Sequence, residues 1–134
     1  ISDWPFLSSL FTFEGANALP RWRMAFTPSN LYTQHAFFRR RFGGVILLQC
    51  GSYYELFDRD APWAARVLGM QRLSPRRHFH ARCGVPVDRC SGVVEELVGN
   101  GRALLLVAQT GRCCGTLCER AGVLMRSADG QVRL

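Results

Sequence analysis

Gly51-Ser52-Tyr53-Tyr54-Glu55-Leu56-Phe57-Asp58 sets an aromatic ring and a carboxylate two residues apart, directly after the apolar run Val45-Ile46-Leu47-Leu48. Residues i and i+2 of a strand project from one face, so Tyr53 and Glu55 are expected to point the same way. A flat ring can wedge into a base step, and a carboxylate beside it can accept a hydrogen bond from an exposed base. The pair is a candidate nucleic-acid reader. The same residues also fit an amphipathic strand in which the Tyr53 ring packs on Phe57 or Trp63 and Glu55 pairs with an arginine.

The surrounding pattern supplies elements to position such a pair. Thr27-Pro28-Ser29 offers a cap-like entry to a helix with Leu31, His35, Phe38 and Phe42 at three-to-four-residue spacing. Arg39-Arg40-Arg41 closes its last turn, where cations suit the helix dipole as well as they suit a phosphate. Val45 to Cys50 reads as a buried strand, Gly51-Ser52 as a bend or bulge, and Tyr53 to Phe57 as a second extended piece. Asp60-Ala61-Pro62 opens a helix running to about Leu68. Met70 to Leu73 is a short strand, Ser74 to Arg82 a basic loop, and Cys83 to Val87 a strand. Ser91 is placed to cap a helix carrying Val93, Val94, Leu97 and Val98, which Gly99-Asn100-Gly101 stops. Ala103 to Gln109 is an apolar central strand. Gly111 to Cys118 reads as a loop, and Ala128-Asp129-Gly130 as a hairpin turn between Val123–Arg126 and Gln131–Leu134. Strands alternating with helices and ending in a hairpin predict an α/β (α+β) fold, a mixed β-sheet flanked by helices.

Composition sets bounds. The 134 residues, 48% hydrophobic, amount to one domain able to bury a core without metals or disulfides. The formal charge is +7, and all 17 basic residues are arginine. Guanidinium forks suit phosphate, although a GC-biased genome would also write arginine for lysine. Without lysine there is no Gly-x-x-x-x-Gly-Lys-Ser/Thr phosphate loop and no Schiff-base catalysis. No cofactor is implied.

Several further segments fall in order along the chain. Gly51 to Phe57 resembles the G-D-F-Y-E-L-F segment of the amino-terminal, mismatch-sensing domain of the MutS mismatch-repair family. Thr27-Pro28 resembles that family's start, Cys83-Gly84-Val85-Pro86 its C/A-G-[IV]-P turn, and Val107 to Gly111 its V-x-x-x-E-Q-x-G strand end. Glu119-Arg120 matches the E-R that opens its last strands. Tyr53 stands where the family's wedge is Phe, keeping a ring and adding a hydroxyl, and Ala108 stands where the family has Glu. The resemblance implies a MutS domain I-like fold over 27–134, after an aromatic-rich extension at 1–26 containing Trp4, Phe6 and Trp22. It also implies that the ATPase lies in other domains. A chain opening on Ile1 instead of Met fits a piece of something longer.

Metal and catalytic alternatives carry less. His78-x-His80-x-x-Cys83, with Cys90, Cys113, Cys114 and Cys118, offers zinc ligands without the spacing of paired C-x-x-C knuckles. Reduced thiols, and with them a cytoplasmic location, are the expectation. Asp58, Asp60, Glu95 and Glu96 occupy capping or helix-surface positions, and no nucleophile context is recognisable, so no enzyme activity is expected. Residues 1–26 have neither a signal-peptide pattern nor a membrane-spanning length of apolar residues.

Two functions remain open. One is a DNA-binding mismatch reader in which Tyr53 stacks, Glu55 contacts the displaced base, and Arg72, Arg76, Arg77 and Arg120 hold phosphates. The other keeps the fold and docks other MutS domains, a polymerase, a reverse transcriptase or a repair protein through its aromatic residues. An exposed Tyr53 on a basic face favours the first, a buried ring the second.

Overall fold

The computed structural model describes residues 30–114, 117–129 and 132–133. The expected extension at 1–26 and the entry at Thr27-Pro28-Ser29 lie outside them. The first described helix, α1 (Leu31–Arg41), is capped by Asn30, whose side chain accepts from the Thr33 main-chain N–H at 2.8 Å. Asn satisfies an otherwise orphaned helix donor as well as Ser or Thr does. Two of the three arginines that end α1 are spent locally. Arg41 lies over the Phe37 ring at 3.7 Å, and Arg39 donates to the Gly44 carbonyl at 2.8 Å.

After α1 come β1 (Val45–Cys50), β2 (Tyr53–Phe57), α2 (Asp60–Val67), β3 (Gln71–Leu73), β4 (Arg82–Pro86), a 3-10 turn (Val87–Arg89), α3 (Cys90–Gly99), β5 (Leu104–Cys114), β6 (Leu117–Arg126) and β7 (Val132–Arg133). The strands form one mixed seven-stranded sheet in the order β3-β4-β2-β1-β5-β6-β7. β1 pairs β5 in parallel, with Val45 opposite Leu104, and every other neighbouring pair is antiparallel. A parallel pair needs a long crossover, here the stretch from β2 through α3.

Alternating side chains divide the core in two. Val45, Leu47, Tyr54, Leu56, Leu104 and Leu106 pack with Ala61 and Ala64 of α2 and with Val94 and Leu97 of α3. Ile46, Leu48, Phe57, Leu105 and Val107 pack with Phe38 of α1. The central strands are apolar on both faces because helices cover both, and each fully buried aliphatic side chain contributes about 1.5–3 kcal/mol.

Two sequence expectations need correction. Gly111 to Cys118 is no loop: β5 runs to Cys114 and β6 starts at Leu117, with Cys113 opposite Cys118. Gly and polar residues favour a loop locally, but pairing with the neighbouring strand overrides that preference. Ser91 is not the cap of α3, because Val87–Arg89 already turns the chain and the helix begins at Cys90. Among the described residues no helix is long and apolar enough to cross a membrane.

Candidate nucleic-acid interface

β1 and β2 are joined by Gly51-Ser52 alone, with Cys50 opposite Tyr53. Gly51 has φ +64°, a left-handed conformation that glycine adopts without strain. The turn is fastened from three sides. Gly51 N–H donates to Gln109 Oε1 at 2.8 Å, Gln49 Nε2 donates to the Gly51 carbonyl at 3.0 Å, and Val87 N–H donates to the Ser52 carbonyl at 2.9 Å. Tyr53, the first residue after this turn, is half-buried.

The β2–β4 register sets Tyr53 opposite Pro86, Glu55 opposite Gly84 and Phe57 opposite Arg82. These six share the sheet face that α1 covers farther along. Gly84 is a floor without a side chain. A Cβ there would stand 2.8 Å from Leu73 Cδ1, 3.1 Å from Tyr53 Cδ2 and 3.4 Å from Glu55 Cγ. Its absence lets the ring and the carboxylate lie against the backbone of β4.

Glu55 is only 2% exposed. Arg82 Nε donates to its Oε1 at 2.6 Å and Arg82 Nη2 to its Oε2 at 3.3 Å, a forked charge-assisted contact. Arg76 Nε stands 3.8 Å from Oε1, on a side chain that is 45% exposed. The loop carrying Arg76 is anchored by Phe79, whose ring stacks on Phe57 at 4.0 Å. Asp58 Oδ1 accepts the His80 N–H at 2.7 Å and ties the far end of the loop down.

Tyr53, Glu55 and Arg76 therefore come together. Arg77 belongs to the same loop and lines, together with Arg76, a neighbouring cleft of about 470 Å³ with Asn30, Tyr32, His78 and Phe79. Arg72 does not join them. It pairs with Cys83, one residue out of phase with the Gly84–Glu55 row, so it projects from the opposite face of the sheet. Arg120 is buried. Its Nε donates to the Gln49 carbonyl at 2.7 Å and its Nη1 to Gln34 Oε1 at 2.5 Å, beneath the Tyr53 turn.

The residues that sequence reasoning missed are Arg82, read as part of the basic loop, and Gln49, whose polar side chain inside an apolar strand was the available signal. In the sequence Gln109 stands out only as one letter of the Val107 to Gly111 match.

Three of the thiols are poorly suited to chemistry. Burial pushes Cys50 and Cys83 up to about 11, and Cys90 higher still, so all three stay protonated at neutral pH. Among the described residues no group of three or more His, Cys, Asp or Glu side chains is placed to hold a metal ion.

The sequence is also similar to those of known proteins. The sequence profile of MutS domain I matches residues 33–121. The chain is 34% identical over 71 residues to the DNA mismatch repair protein MutS of Rhodopseudomonas palustris (strain BisB5), covering 51% of this chain and 8% of that protein. The MutS protein of Nitrobacter winogradskyi gives the same identity and coverage. DNA mismatch repair protein MSH6 of Arabidopsis thaliana is 29% identical over 99 residues, covering 63% of this chain and 7% of that protein. The chain thus spans less than a tenth of the length of these relatives. With the profile running from α1 into β6, across both the Tyr53 turn and the strands that fasten it, the chain belongs to the MutS domain I family.

Proposed function

We propose that this domain binds duplex DNA and senses mispaired steps, with Tyr53 stacking into the weakened step and Glu55 accepting a hydrogen bond from the displaced base. Arg76 and Arg77 lie on the loop beside that pair and supply phosphate contacts. A mismatch is felt because an unpaired step costs less to unstack than a paired one. The observation that carries the proposal is the placement of Tyr53: a half-buried ring at the mouth of a fastened turn, beside a carboxylate and the exposed Arg76. The domain binds rather than catalyses.

Arg120 serves this function from beneath, by supporting the turn, and Arg72 faces away from it. Alone, a module neutralising few phosphates binds near the non-specific range, about 10⁻⁴ to 10⁻⁶ M at physiological salt.

The test is the affinity of mismatched and matched duplexes at one fixed salt concentration. Tyr53→Ala is expected to remove about 1–3 kcal/mol, more from the mismatched duplex, while Tyr53→Phe retains binding. Unchanged affinities and an unchanged ratio in Tyr53→Ala would remove the wedge. The docking function would then take its place, and the engagement of Glu55 by Arg82 is the one observation that favours it.

A further inference from the structure

We infer that Arg82 is a specificity-determining residue that competes with the base for Glu55 and so lowers the preference of this domain for mismatched DNA. The inference rests on the proposed base contact by Glu55.

Both oxygens of the carboxylate are engaged inside the protein. Arg82 reaches Oε1 at 2.6 Å and Oε2 at 3.3 Å, and Glu55 is 2% exposed. The remaining nitrogen, Arg82 Nη1, donates to the Ser74 carbonyl at 2.5 Å, which ties the fork to the start of the basic loop. Sequence and register build this contact together. Arg82 stands opposite Phe57 and Gly84 opposite Glu55, so Arg82 reaches Glu55 diagonally across the strands, beside a directly opposed residue that has no side chain to crowd the carboxylate. Arg82 itself is mostly covered, at 16% exposure, whereas Arg76 is the exposed cation of the pair.

A base N–H needs a carboxylate lone pair that faces outward. Bringing one outward means turning Glu55 and opening the Arg82 fork. That loss falls only on complexes in which Glu55 reaches a base, namely the mismatched ones. Matched duplex, held by phosphates, leaves the fork closed. The fork therefore subtracts from mismatch affinity and leaves matched affinity untouched. Removing a positive charge weakens both complexes through phosphate attraction, and that common factor cancels in their ratio.

The experiment compares the mismatched-to-matched affinity ratio of wild type, Arg82→Gln, Glu55→Gln and the Glu55→Gln/Arg82→Gln double variant at one salt concentration, with Tyr53→Ala alongside. Arg82→Gln is expected to raise the ratio about tenfold or more, the scale of one charged hydrogen bond. The double variant is expected to return to the ratio of Glu55→Gln. An unchanged or lower ratio in Arg82→Gln, with Tyr53→Ala still selectively weakening mismatch binding, overturns the inference and leaves the base-reading function standing. A silent Tyr53→Ala overturns both. Where Arg82→Gln lowers thermal stability too far, the Nε–H resonance of Arg82 in the wild-type domain decides. It is expected to persist on matched duplex and to shift or vanish on mismatched duplex, and persistence in both complexes overturns the inference.

Discussion

Gln49 and Gln109 are tied across the middle of the sheet: the main-chain N–H of Gln109 donates to Gln49 Oε1 at 2.8 Å. Gln109 passes the connection on, its own Oε1 accepting the Gly51 N–H at 2.8 Å. Gln109→Met keeps the volume and removes the acceptor. It is expected to cost about 1 kcal/mol of stability and to speed amide exchange at Gly51. Selectivity for mismatched duplex is expected to fall toward that of Tyr53→Ala, because the ring is no longer delivered at one angle. Unaltered exchange at Gly51 would show that the turn holds without Gln109.

Arg120 and Arg76 carry the same charge and should behave oppositely. Burial pushes the Arg120 guanidinium below its ordinary value, yet an arginine remains charged and must keep its acceptors. Arg120→Met leaves Gln34 Oε1 and the Gln49 carbonyl without that donor and is expected to cost about 2–4 kcal/mol in denaturant unfolding. Arg76→Gln, on an exposed side chain, is expected to shift stability by no more than about 0.5 kcal/mol and to reduce the salt slope of DNA binding by about 1. A large stability loss in Arg76→Gln, or none in Arg120→Met, would reverse the assignment.

His35 makes the domain acid-sensitive. Burial, reinforced by Arg39 and opposed by Asp58 and Asp60, pushes its imidazole down to about 4 from 6.5. Between those values the unfolded chain binds a proton that the folded chain refuses. The stabilisation is therefore complete above about pH 6.5 and is lost as pH falls toward 4, up to about 3 kcal/mol. His35→Phe keeps a ring against Phe57 and Phe79, where the imidazole stands edge-on at 5.2 and 5.5 Å. Its unfolding free energy is expected to fall less than that of wild type between pH 7 and pH 4.5, and an equal fall would refute the assignment.

Much of the domain was legible because its signals are local. Val45 to Cys50 and Tyr53 to Phe57 announce themselves by apolar content and the glycine between them, and α2 by the proline in its first turn. What stayed hidden depends on partners far along the chain. Gly111 to Cys118 looks like a loop until the two arms of the hairpin pair. The sidedness of Arg72 is a matter of register, where one residue decides between two faces. Glu119-Arg120 drew notice as a sequence match, but nothing adjacent says that Arg120 turns inward to Gln34 and Gln49. The ring and the carboxylate were readable as a pair, whereas the guanidinium that holds the carboxylate lies 27 residues away.

The fastening of the Tyr53 turn also sets when the site comes into being. Gly51 waits for a partner 58 residues downstream, and Gln49 for one 71 residues downstream. Closing such long loops costs entropy before any contact rewards it. On the ribosome, the hairpin of β1 and β2 leaves the exit tunnel before β5 and β6 do, so for the intervening seconds the turn lacks its Gln109 fastening. The turn that carries Tyr53 is thus completed by strands synthesised well after it, and under the proposed function a nascent chain gains its reading edge only once β5 and β6 have docked.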